Sequence, residues 1–144
     1  MPTITNTIDI KATPDRVWAV LADLPATRQW LPGVVAARVD GPVRVCRMAD
    51  GQEVHEHISD IAPERRSYRF SQVRGPLPVH DSAGRFTVTP GAAAGTATVS
   101  LETTFEPLDA NGAEPLAAMI HAAFQQALES LRRFVEDDRA WDAG

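Results

Sequence analysis

Cysteine, lysine and tyrosine each occur once in this chain of 144 residues, as Cys46, Lys11 and Tyr68. A single cysteine excludes an internal disulfide framework and fits a reducing compartment. The formal charge of -5 comes without any basic run that could track a phosphate backbone, so no nucleic-acid partner is expected. No segment is apolar for long enough to span a bilayer, which excludes insertion through a helix. The N-terminus lacks a charged lead followed by an apolar run, so no signal peptide is expected and the reading is a cytoplasmic protein. Walker loop, dinucleotide fingerprint, serine elbow and zinc-finger spacing are all missing, and no cofactor is expected.

What the chain does have is periodicity. From Pro115 to about Arg139, apolar residues from Leu116 to Val135 recur at helical spacing, with Gln125, Gln126, Glu129, Arg132, Arg133 and Glu136 on the other side. At the opposite end, Ile4, Asn6, Ile8 and Ile10 alternate with Thr5, Thr7 and Asp9 as in a half-buried strand. Thr13-Pro14-Asp15 reads as the start of a short helix, and Pro25 separates it from a second short helical piece carrying Trp30. Strands are expected near 34–40, 43–48, 52–59, 67–73, 84–89 and 96–105, with separators short enough for an antiparallel meander. Length suits one domain, 1–144. The fold class is therefore α+β: a seven-stranded antiparallel sheet curved around a long C-terminal helix, with two short helices after the first strand. Such curvature leaves room for an apolar ligand between sheet and helix.

Several short stretches carry a family resemblance. They are Pro14-Asp15-Arg16-Val17-Trp18, Trp30-Leu31-Pro32-Gly33, Arg44 leading to Asp50-Gly51, Glu56-His57-Ile58 with Asp60, then Tyr68, Leu77-Pro78 and Phe105 with Pro107. With the long helix they resemble the START-like helix-grip superfamily, within it the bacterial polyketide cyclase/dehydrase and lipid-transport (SRPBCC) branch, over essentially the whole chain. Where many relatives have an aromatic after the Leu-Pro turn and a tryptophan on the last strand, this chain has Ser82 and Leu101. The resemblance implies an internal cavity for a hydrophobic or aromatic small molecule and leaves a homodimer open. Its members include cyclases, dehydratases and lipid carriers, and fold alone does not choose among them. The reading taken is a cyclase/dehydratase-like enzyme; the alternative is a carrier or sensor of a lipid-like ligand. A protein-interaction module would need an exposed apolar patch.

One hairpin points to the polar centre. Ala49-Asp50-Gly51 suits a three-residue loop closed by a left-handed glycine. That register sets Arg47 opposite Glu53, an ion pair on the wet face, and Arg44 opposite Glu56 on the concave face. Glu56 is the candidate acid or base, Arg44 the group that holds a substrate oxygen, and Tyr68 a proton donor. The plainer interpretation is that Arg44 and Glu56 only neutralise one another. Candidates for ligand contact are Trp30 and Leu31; Cys46, Phe70, Gln72 and Leu101 on strands; Leu77 and His80 in a loop; and Met119, His121 and Phe124 on the helix. Glu53, His55 and His57 share one strand face with chelating spacing, yet they lack further ligands and face water if Val54 and Ile58 point inward, so no metal is expected. Trp18 and Trp30 fit core anchors better than a stacking platform.

Overall fold

The computed structural model describes residues 2–137. β1 (Thr3–Ile10) is followed by helix α1 (Pro14–Ala22) and a 3₁₀ segment, Leu24–Gln29. The meander β2 (Val34–Asp40), β3 (Val43–Met48), β4 (Glu53–Ala62), β5 (Ser67–Arg74), β6 (Val79–Pro90) and β7 (Ala97–Pro107) comes next, and helix α2 (Ala113–Asp137) ends the described chain. The expected helix end at Arg139 lies outside the described residues. Sheet order is β1-β7-β6-β5-β4-β3-β2, with every pairing antiparallel. This is the seven-stranded helix-grip arrangement expected from the sequence.

Local chemistry explains the elements. On β1 the residues Ile4, Asn6, Ile8 and Ile10 are buried and their neighbours exposed, as alternation on a half-covered sheet requires. The Thr13 hydroxyl accepts from the Arg16 amide at 3.3 Å, and Pro14 opens α1 at a position where a missing N–H costs nothing. α2 is about 37 Å long at ~1.5 Å per residue. It buries Leu116, Ile120, Ala127, Leu128, Leu131 and Val135 against the sheet. Asn6 ties the helix to β1, its Nδ2 donating to the His121 carbonyl at 3.0 Å and to Gln125 Oε1 at 2.9 Å. No helix among the described residues is long and apolar enough to cross a membrane.

Two boundaries differ most from expectation. β6 begins at Val79 rather than at 84, because Val79 and Asp81 pair with Pro107 and Glu106 across a bulge. Long-range pairing thus supports a polar stretch that local preference assigns to a loop. β4 continues to Ala62 through an irregularity between Ser59 and Ala62, with Asp60 at φ 52°.

Candidate functional site

The β3–β4 hairpin builds the site. Gly51, at φ 89°, closes the loop: its amide donates to the Met48 carbonyl at 2.9 Å, and the Met48 amide to the Gln52 carbonyl at 2.8 Å. Only a residue at ease in the left-handed region suits that position. The resulting register pairs Arg47 with Glu53, Cys46 with Val54 and Arg44 with Glu56, which sends Arg44, Cys46 and Glu56 to the concave side.

Arg44 then donates from Nε and Nη2 to a single oxygen, Glu56 Oε1, at 3.1 and 2.8 Å. Its Nη1 donates to the Thr27 hydroxyl at 3.3 Å and to the Tyr68 hydroxyl at 3.4 Å. Side-chain exposure is 3% for Arg44 and 16% for Glu56. Burial opposes the charge on Arg44, but Tyr68 and Glu56 outweigh it and hold the guanidinium firmly protonated. Burial raises the Tyr68 phenol and the Cys46 thiol above their ordinary ranges, with Arg44 pulling each partly back. Tyr68 and Cys46 are thereby kept neutral.

Over this centre lies a cleft of about 360 Å³ between the concave sheet and α2. Of the sequence candidates, Leu31, Cys46, Glu56, Phe70, Gln72, Leu77 and Phe124 line it. Phe70 is the floor. Its ring lies where a Cβ on Gly84 would come within 2.4 Å, and it meets Phe124 of α2 edge-on at 6.4 Å.

Other candidates fall elsewhere. Trp30 and Leu101 are packed into the main core, Trp30 edge-on to Phe86 at 6.2 Å, so neither reaches the cleft. Met119, 52% exposed, and His121 lie on the outer part of α2, beyond the strip that the sheet covers. His80 is exposed on β6, not in a loop at the mouth. Arg44 and Tyr68 are buried behind Glu56 rather than lining the space. Although Arg47 and Glu53 are register partners, the Glu53 carboxylate engages other groups: Oε2 is 3.6 Å from Arg38 Nη1, and Oε1 is 3.1 Å from His55 Nε2. No group of three His, Cys, Asp or Glu residues able to hold a metal occurs among the described residues.

Sequence reasoning passed over Val34, Ser82, Gln126 and Ala127 as lining residues. For Ser82 a signal existed: counting back by twos from Phe86 puts Gly84 and Ser82 on the inner face. On α2 the cleft is lined by Ala123, Phe124, Gln126 and Ala127, in the middle of the helix.

A family described as polyketide cyclase / dehydrase and lipid transport matches residues 1–136. The chain belongs to this family. The chain shares its fold with solved structures at low identity. XoxI from Bacillus cereus is 23% identical over 96% of this chain and 99% of its own, with a TM-score of 0.88. The di-domain ARO/CYC protein BexL, from a biosynthetic pathway, is 20% identical over 94% of this chain and 47% of its own, TM-score 0.84. A START superfamily protein from Mycobacterium smegmatis is 14% identical over 91% of this chain and 97% of its own, TM-score 0.71. At these identities the likeness is one of fold. A comparison with curated proteins gave no match.

Proposed function

We propose that the cleft takes an aromatic or polyketide-like small molecule and that Glu56 moves a proton on it, in a cyclisation or dehydration. One observation carries this reading: Glu56 lines an otherwise largely apolar cleft, and Arg44 engages only its Oε1, so Oε2 remains for a ligand. In the proposed step Oε2 accepts the proton from a carbon beside a ligand carbonyl. The resulting enolate carbon bonds to a second carbonyl held close by the folded pose, and the alkoxide formed there takes the proton back from the Glu56 acid to become a hydroxyl. For loss of water, the Glu56 carboxylate removes the second proton from the same carbon and, now as the acid, delivers it to the departing hydroxyl, leaving a carbon–carbon double bond. Arg44 and Tyr68 act as positioning residues: Arg44 fixes the orientation of the Glu56 carboxyl group through Oε1, and the Tyr68 hydroxyl and Thr27 hold Arg44.

A carrier is the second reading, and it has its own support. The donors of Arg44 are engaged by Glu56, Thr27 and Tyr68, so the pair also makes sense as a self-compensating buried contact. Native mass spectrometry of the protein from its host, followed by incubation with host extract, separates the two. The enzyme reading expects a compound converted with loss of water by the native protein and at least ~100-fold more slowly by Glu56→Gln, which still binds it. Equal conversion by both proteins would remove Glu56 as the acid–base group. A bound compound returned unchanged by both would establish the carrier.

A further inference from the structure

Behind the cleft wall a line of hydrogen bonds runs away from Glu56. Arg44 Nη1 donates to the Thr27 hydroxyl at 3.3 Å. That hydroxyl spends its one proton on the Leu24 carbonyl at 2.6 Å, so towards Arg44 it can only accept. The Thr27 carbonyl in turn receives the amides of Trp30 at 3.2 Å and Leu31 at 3.0 Å. Leu31 and Pro32 line the cleft. The other side of this stretch is fixed independently. The Ser130 hydroxyl of α2 donates to the Trp30 carbonyl, and the Ala49 amide to the Gly33 carbonyl at 2.8 Å. A path of hydrogen bonds thus leads from the Glu56 carboxyl group through Arg44 and the buried Thr27 to the backbone of the cleft wall.

We infer that Thr27 is a positioning residue through which the charge on Glu56 sets how firmly the wall at Leu31 and Pro32 is held. The inference rests on the proposed reading of Glu56 as the group that gains and loses a proton. As a carboxylate, Glu56 takes both Nε and Nη2 of Arg44 on Oε1, which pins the guanidinium plane with Nη1 towards Thr27. Once Glu56 carries a proton, one side of those bonds is no longer charged and they weaken. Arg44 is then free to turn, the Thr27 hydroxyl loses its donor, and the turn that Thr27 closes on Trp30 and Leu31 loosens. The wall is firm before proton transfer and looser after it, which suits holding a ligand for the step and yielding afterwards. Glu56 is the one group placed to act this way. The titratable groups facing it are Arg44 and Cys46 on β3 and Tyr68 on β5, and the first stays charged while the other two stay neutral. Apart from Cys46 and Glu56, the cleft-lining residues of the sheet, of α2 and of the connecting segments carry no titratable group.

Amide hydrogen exchange of the full chain, read by NMR, tests this without any ligand, with Glu56→Gln standing for the protonated state. Rates at the Leu31 and Trp30 amides are taken relative to the Val88 amide, which is bonded to the Arg66 carbonyl outside this path. On that scale Glu56→Gln should speed exchange at Leu31 and Trp30 by ~10-fold, as expected for weakening a hydrogen bond to a charged group. In a Thr27→Val background the same substitution should change them by less than ~2-fold, because the link is already cut. In a Thr27→Ser background, where the hydroxyl is kept, the full effect should return. Circular dichroism melting checks that each variant is folded. Unchanged exchange at Leu31 and Trp30 in Glu56→Gln overturns the inference by itself, whether or not Thr27→Val folds. An equal effect with and without the Thr27 hydroxyl overturns it too. Either result leaves the acid–base reading of Glu56 standing, since that reading falls separately, on equal conversion by Glu56→Gln and the native protein.

Discussion

Arg44 and Glu56 test how a partly buried ion pair behaves when it is broken. Arg44→Leu leaves the Glu56 carboxylate in an apolar wall without its counter-charge, and the expected cost is ~3–5 kcal/mol in urea unfolding. Leucine at both positions removes the stranded charge, so the double variant should recover most of that loss. If the two single effects simply add, the residues are not coupled. Tyr68 gives a second residue-scale prediction. Burial raises its phenol, so the folded state holds this proton more tightly than the unfolded chain does. Its stabilising contribution is therefore intact below about pH 10, the range of an unfolded tyrosine, and disappears as pH climbs through the higher folded value. Because Tyr68 is the sole tyrosine, phenolate absorbance should rise only above that range and together with loss of the folded circular dichroism. Phenolate forming near pH 10 in a folded protein would contradict the burial. Cys46, equally alone and also raised by burial, should alkylate slowly near pH 8, and more slowly still with the cleft filled.

The elements divide by how much of their placement is local. α2 and β1 announce themselves by period, and Ala49-Asp50-Gly51 fixes a register because its loop length and glycine admit few alternatives. What periodicity omits is the extent of the partner. Met119 belongs to the apolar stripe of α2 as surely as Leu128 does, but the sheet passes beneath one and not the other. Leu128→Ala should therefore cost ~2–5 kcal/mol, through lost contacts and a residual cavity. Met119→Ala should stay within ~0.5 kcal/mol, as expected for a surface change. The reverse order would mean that another face of the helix is buried. His80 was obscured for a different reason. Pro78 and two polar residues resemble a loop, and only pairing with β7, remote in sequence, makes this stretch a strand. Likewise nothing near Thr27 in sequence reveals that its hydroxyl receives Arg44. Removing it with Thr27→Val should leave the fold intact and cost ~1–3 kcal/mol, because an Nη1 donor loses a partner in a buried site.

For the whole molecule the cleft between sheet and α2 can be tested at Leu31 and Leu77, which both line it. Leu31→Trp and Leu77→Trp should each weaken binding of an apolar probe by at least ~10-fold without lowering the melting temperature, and unchanged affinity would place the binding site elsewhere. The sheet order described above also bears on how the chain is made. β1 is synthesised before the other strands of this sheet, yet its only sheet neighbour among the described residues is β7, and Asn6 hydrogen-bonds to residues 115 and 119 positions away. Between those events the meander from β2 to β6 can pair locally, while β1 has nothing to dock on. Closure of the sheet therefore waits until β7 and much of α2 have emerged from the ribosome, and loop-closure entropy makes it a late step. During that interval Ile4, Ile8 and Ile10 form an unpaired apolar edge, the kind of segment that chaperones hold and that aggregation exploits.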